Sequence, residues 1–171
     1  MKCLVSIIVP TRNRCDLLEP CLRSIYQSSY KNFEIIVVDN ASSDGTAAMV
    51  RAQYPEARFV ETGKNLFVAG GRNLGIRMAQ GQYFLFIDDD NEIEPRMIEE
   101  LVSLCKSDDR IGLVGPKMDY YGSEKLLWWT GASINLLTSR TVYLGLNSPD
   151  TGQYDQPAQT GHIPNVVMIK R

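Results

Sequence analysis

Residues 83–90 read Tyr83-Phe84-Leu85-Phe86-Ile87-Asp88-Asp89-Asp90, an unbroken apolar run that ends in three acids. An apolar stretch this short, bounded by polar residues, reads as a strand buried on both faces. Its carboxyl end then carries the charge. The same pattern recurs upstream. Glu34-Ile35-Ile36-Val37-Val38 is a strand ending at Asp39, and Val5-Ser6-Ile7-Ile8-Val9 is a strand stopped by Pro10. Arg58-Phe59-Val60-Glu61 is a third strand, and Ile111 to Val114, downstream, is a fifth.

Helical patterns separate these strands. Leu17, Leu18, Cys21, Leu22, Ile25 and Tyr26 recur at helical spacing from a start near Asp16, although Pro20 is a poor interior residue. Ser42-Ser43-Asp44-Gly45-Thr46 supplies cap and turn residues for a helix through Ala47, Val50 and Ala52 up to Pro55. A Gly-rich turn leads into a helix near Asn73 to Ala79, with Gly81 suited to its C-terminal stop. Pro95 suits a first helical position, where Glu92 and Glu94 favour the positive end of the helix. Strand and helix alternate, which predicts an α/β fold with a mostly parallel sheet and helices on both faces. In such sheets ligands sit beyond the carboxyl ends of the strands. Asp39 and Asp88–Asp90 both occupy that edge. After Lys117 the pattern loosens, and 122–161 reads as loops and short strands.

The 171 residues are 44% hydrophobic and carry a net charge of -2, which suits one domain with a real core. Neither a basic tail nor a basic stripe is present, which argues against nucleic acid as a partner. No uncharged apolar run approaches the roughly 18 residues of a membrane helix. Met1 to Val9 is too short for a signal peptide and lacks a small-residue cleavage pattern. The cysteines (Cys3, Cys15, Cys21, Cys105) show no CxxC spacing and His162 is the only histidine, so a reduced, cytoplasmic chain without zinc is expected. Membrane association would come through parts outside this chain.

Two readings fit the acidic run: a polar loop with capping duty for Asp90 or Asn91, and a cation site. Mg²⁺ commonly takes one or two carboxylates plus phosphate oxygens. If the run is extended, Asp88 and Asp90 converge while Asp89 points elsewhere. Asp39 either caps the turn before Ser42 and Ser43 or accepts a hydrogen bond from a base N–H or ribose hydroxyl. Gly70-Gly71-Arg72-Asn73-Leu74-Gly75 matches neither a dinucleotide fingerprint nor a P-loop. Its glycines allow a close backbone approach, and Arg72 is a candidate cation for the diphosphate or the base. Trp128 and Trp129 read as core or loop anchors, and His162 as structural.

Taken in order, four stretches resemble glycosyltransferase family 2. These are Val5 through Pro10-Thr11-Arg12-Asn13-Arg14, Glu34 through Asp39-Asn40-Ala41-Ser42-Ser43-Asp44-Gly45-Thr46, Gly71-Arg72-Asn73 through Gly81, and Phe86-Ile87-Asp88-Asp89-Asp90. The resemblance covers nearly the whole chain. It implies a Rossmann-like GT-A sheet, with residues 1–117 binding the nucleotide sugar and 118–171 beginning an acceptor-side part of the same domain. By this resemblance Pro10, Thr11, Asn13, Asp39, Arg72, Asp88 and Asp89 bind the nucleotide sugar. Pro10 and Thr11 would line the base, Asp39 would bind it, and Asp88 would face the ribose. Asp90, with Asp88, would hold Mn²⁺ or Mg²⁺ as a D-x-D motif.

The implied activity is metal-dependent, inverting transfer of a sugar from a UDP- or TDP-type donor to a carbohydrate or lipid-linked acceptor, in polysaccharide or glycolipid biosynthesis. Family members carry a later acidic motif that supplies the catalytic base. Here Val166 to Lys170 resembles the strand before that motif, so the base is expected beyond Arg171 and the sequence reads as an N-terminal piece impaired in transfer. The alternative is a non-catalytic nucleotide-sugar-binding module. A sugar-1-phosphate nucleotidyltransferase would show a Gly-rich N-terminal loop, and Val9 to Arg14 contains no glycine.

Overall fold

The structure is a computed structural model that describes residues 3–122 and 125–171. In chain order, β1 (Val5–Thr11), α1 (Cys15–Tyr26), β2 (Phe33–Asp39), α2 (Thr46–Gln53) and β3 (Arg58–Glu61) are followed by α3 (Phe67–Met78), β4 (Tyr83–Phe86), α4 (Met97–Ser107) and β5 (Leu113–Val114). Four short strands come next: β6 (Met118–Asp119), β7 (Leu127–Trp129), β8 (Ala132–Asn135) and β9 (Arg140–Tyr143). The last strand is β10 (Val167–Lys170). The chain forms two compact units, one of residues 1–114 with 165–171 and the other of 115–164.

The first unit holds a six-stranded sheet in the order β3-β2-β1-β4-β10-β5. β1 pairs in parallel with β2 on one side and β4 on the other, so Ile8 faces both Ile36 and Phe86. β10 is antiparallel to β4 and to β5. The sheet is therefore mostly parallel, as expected, with one strand reversed. Every residue of β1 is buried, which requires cover on both faces. On one face Ile8, Ile36, Val38 and Phe86 pack with Leu74, Met78 and Ala79 from α3 and its end. Ile7, Val9, Ile35 and Val37 point the other way, and they are equally buried.

Local propensity yields to packing at several points. α1 runs straight through Pro20, because Leu18, Cys21, Leu22 and Ile25 are fully buried along one stripe. That burial outweighs the roughly 3 kcal/mol cost of an interior proline. Leu17, expected on the same stripe, is 45% exposed. α3 starts at Phe67, six residues before the expected Asn73, and continues through Gly70-Gly71. It ends at Met78 with Ala79 extended, so Gly81 is not its left-handed stop. Gly81 is instead wedged against β1, where a Cβ would lie 2.7 Å from the Leu4 carbonyl oxygen. α4 starts at Met97, so Pro95 precedes the helix and its first-turn acids are Glu99 and Glu100 rather than Glu92 and Glu94. Of the expected strand 111–114, only Leu113 and Val114 pair.

In the second unit β6 pairs with β7 and β8 with β9, all antiparallel. Lys117 bridges Asp150 and Asp155, each at 2.6 Å. Trp129 is buried, in line with an anchoring role. Among the described residues no helix is long and apolar enough to cross a membrane.

Candidate functional site

The carboxyl ends of β1, β2 and β4 lie side by side; β1 and β2 end at Thr11 and Asp39, and Asp88–Asp90 follow β4 after Ile87. After β4 the chain leaves the sheet at Ile87 and turns, with the Asn91 amide donating to the Asp88 carbonyl at 3.1 Å. The acidic run thus sits in a turn and is not extended, so strand alternation does not bring Asp88 and Asp90 together: Asp89 and Asp90 share Arg14, and Asp88 pairs with Arg72. Asp89 is turned inward, with 8% of its side chain exposed, against 29% for Asp88 and 45% for Asp90. Burial pushes the Asp89 carboxyl above the ordinary aspartate range, while the Arg14 guanidinium pulls it back.

Two arginines close this cluster. Arg14 Nη1 lies 3.1 Å from Asp89 and 2.9 Å from Asp90. Arg72 Nη2 donates to Asp88 at 2.6 Å and to the Asn165 carbonyl at 3.1 Å, with its guanidinium 5.4 Å from the centre of the Phe86 ring. Arg72 Nε is buried and unpartnered among the described residues. α3 delivers Arg72 here because Gly71 lets the helix pass Pro10 and Asn40, where a Cβ would meet both at 3.2 Å.

On the β2 side, the Asp39 carboxylate is buried and accepts hydrogen bonds from the Ser42 amide at 3.2 and 3.3 Å and from the Ser42 hydroxyl. The turn-cap reading of Asp39 is realised in this geometry. Asn13 has a positive φ of 51° and directs its Oδ1 to the Ser43 amide at 2.7 Å, so its side chain holds the same turn. Asn40 is buried and accepts from the Leu66 amide at 3.1 Å, pinning the start of α3.

These residues surround a pocket of about 530 Å³. Pro10, Thr11, Asp88, Asp89 and Asp90 line it, whereas Asn13, Asp39 and Arg72 are not among its lining residues. Arg12, Arg14, Asn40, Asn65, Phe67 and Val68 also line it without having been singled out in the sequence. Arg12, Arg14 and Asn40 belong to the motifs read there, but Arg14 meets its partners 75 and 76 residues away. No pattern in one sequence reveals that pairing.

Residues 6–166 match the model of the family described as Glycosyl transferase family 2. The chain belongs to glycosyl transferase family 2. This family 2 chain is 30% identical over 171 residues to the glycosyltransferase GlyG of Streptococcus pneumoniae serotype 4, covering 98% of this chain and 57% of GlyG. It is 38% identical over 97 residues to the GalNAc(5)-diNAcBac-PP-undecaprenol beta-1,3-glucosyltransferase of Campylobacter jejuni, covering 52% of this chain and 30% of that protein. Its fold is similar to the mannosyltransferase PcManGT from Pyrobaculum calidifontis in complex with GDP-Man and Mn²⁺, at TM-score 0.68 and 24% identity over 100% of this chain and 45% of that one. S. aureus TarS 1-349 in complex with UDP-GlcNAc aligns at TM-score 0.64 and 25% identity, covering 72% of this chain and 36% of that one. The expected GT-A sheet is the fold this family 2 chain shares with them. The chain spans little more than half the length of GlyG and less of the other three.

Among the described residues no group of three or more His, Cys, Asp or Glu is gathered as a metal site. Asp88 and Asp90 nevertheless suit a hard cation. They are oxygen donors in one turn, partly exposed at the pocket, and Mg²⁺ needs only one or two carboxylates when phosphate oxygens complete its shell.

Proposed function

We propose that this protein binds a nucleoside-diphosphate sugar in the pocket beside β1, β2 and β4 and transfers the sugar, with inversion, to an acceptor hydroxyl. One observation carries the reading. Three carboxylates and Arg14 share one wall of a 530 Å³ pocket at the carboxyl edge of a mostly parallel sheet, with Arg72 paired to Asp88. PcManGT with GDP-Man and Mn²⁺, and TarS with UDP-GlcNAc, support the same assignment by likeness of fold.

In this reading Pro10 and Thr11 line the nucleotide, Asp39 accepts a hydrogen bond from the base, and Asn13 keeps the adjoining turn in place. Asp88 faces the ribose, and Asp88 and Asp90 hold Mn²⁺ or Mg²⁺. Asp89 keeps Arg14 beside the diphosphate. Arg72 and Arg14 supply positive charge where the leaving diphosphate develops negative charge. The cation, when bound, supplies Lewis-acid stabilisation of that leaving group. The donor is of the UDP or TDP type and the acceptor a carbohydrate or lipid-linked sugar. No residue of this chain is assigned as the base that deprotonates the acceptor.

The test is thermal melting with UDP or TDP, with Mn²⁺, and with both. Ligands that bind only the folded state stabilise it by about 2.7 kcal/mol at a hundred times Kd. The pair should raise Tm by several degrees more than either alone, and Asp90→Ala should abolish the difference. Equal nucleotide affinity with and without EDTA would remove the cation from the site.

A further inference from the structure

Phe67 opens α3 with its ring in solvent. It is 75% exposed, lines the pocket beside Val68, itself 51% exposed, and stacks on no other aromatic among the described residues. Its backbone is left-handed, with φ at +58°. That conformation is disfavoured for a bulky side chain, and glycine is the residue that accepts it without cost. Two asparagines hold the strained turn in place. Asn65 Oδ1 accepts the Phe67 amide at 2.8 Å, and Asn40 Oδ1 accepts the Leu66 amide at 3.1 Å. An exposed ring on a disfavoured backbone, fastened from two sides, is a feature that folding alone would discard. Such strain persists chiefly where it serves a ligand.

The position of the ring indicates which ligand. Asn40 follows β2, Pro10 and Thr11 end β1, and the acidic run follows β4, so the pocket crosses the sheet edge in the order β2-β1-β4. Neighbouring strands lie about 4.8 Å apart, which puts roughly 10 Å between its two ends. The end at β2, where Asn40 holds the start of α3, is apolar with Phe67 and Val68 and carries the Asn40 and Asn65 amides. The other carries Asp88, Asp90 and Arg14. A nucleotide has the same polarity, with a flat ring at one end and a diphosphate at the other. We propose that Phe67 is the platform on which the donor's nucleobase stacks, and that its left-handed backbone holds the ring over the pocket. This assignment rests on the donor-binding reading given above.

The experiment compares the wild-type chain with Phe67→Gly and Phe67→Tyr, measuring UDP and GDP affinity by calorimetry at fixed Mn²⁺, and Tm without ligand. Stacking of a base on an aromatic ring corresponds to about tenfold in affinity. Phe67→Gly should therefore bind the preferred nucleotide about tenfold more weakly, with the remaining binding still dependent on Mn²⁺. Its Tm should stay level or rise, because glycine relieves the left-handed strain. Phe67→Tyr should bind as wild type does. If Phe67→Gly binds as tightly as wild type, or if its Tm falls, the ring is not a ligand platform and the proposal is overturned. If the wild-type chain binds neither nucleotide, the donor reading fails and carries this proposal down with it.

Discussion

The Asp39 carboxylate makes three hydrogen bonds to Ser42, and the Ser42 hydroxyl in turn accepts the Asn13 amide at 2.8 Å. A cap and a base contact make different demands on this group, and two substitutions separate them. Asp39→Ala should weaken nucleotide binding by about 1–3 kcal/mol, the cost of leaving a base donor unpaired. Ser42→Ala breaks the turn's side-chain bonds and should leave affinity within about twofold. Equal losses in a titration calorimeter would make Asp39 a turn cap alone. Asp44 offers a second test. Its Oδ1 accepts the Thr46 amide at 3.0 Å and the Thr46 hydroxyl at 2.5 Å, and its Oδ2 accepts the Cys15 amide at 3.2 Å. The Thr46 hydroxyl bond, more than any other cause, holds its pKa below the ordinary aspartate value. A depressed carboxylate contributes stability above its unfolded pKa and loses it as pH falls through the folded pKa. Tm should therefore drop in the acid range below the ordinary aspartate value, and Asp44→Ala, costing about 1 kcal/mol at neutral pH, should remove that part of the drop. At this scale the residue types were legible in the sequence, but the partners were not. Asp39 read as either cap or contact because a carboxylate at a strand end can serve both.

α3 lies closer to the sheet than a helix of ordinary composition could. A Cβ on Gly75 would sit 2.4 Å from Ile8 Cγ2. Alanine is favoured over glycine inside a helix by about 1 kcal/mol, yet overpacking a full core typically costs about 1–3 kcal/mol. The clash should win, so Gly75→Ala lowers Tm. In an Ile8→Ala background the same change should cost less or become stabilising, since the colliding methyl is gone. Additive effects in urea denaturation would mean that the helix simply shifts away. Strand positions were legible because five-residue β-branched runs have one good use. Helix ends were less so. α1 passes Pro20 and α3 passes Gly70 and Gly71 because the decision lies with what the apolar stripe buries, which neighbouring residues do not report. The start of α4 falls two residues after its expected place at Pro95.

β10 holds the first unit's sheet together across the longest reach in sequence. It pairs Val167 to Lys170 with β4 and is the strand to which β5 is hydrogen-bonded. Asn165, just before it, offers its carbonyl to Arg72. Deleting residues 165–171 should leave β4 with a bare edge and β5 unpaired, a state prone to association. The shortened chain should lose its cooperative urea transition or elute as aggregates in gel filtration. An unchanged midpoint would show that the parallel strands suffice alone. What the sequence by itself determined was the alternation of buried strands and amphipathic helices, and with it the edge where Asp39 and Asp88–Asp90 emerge. Those follow from local periodicity and from charge placed directly after apolar runs. The tertiary structure alone decided that β10 enters the sheet reversed, that Arg14 and Arg72 face the acidic turn, and that Phe67 stands over the pocket. Each of these depends on which distant surfaces meet. Burial and hydrogen-bond geometry settle that, and they act between residues with no fixed spacing along the chain.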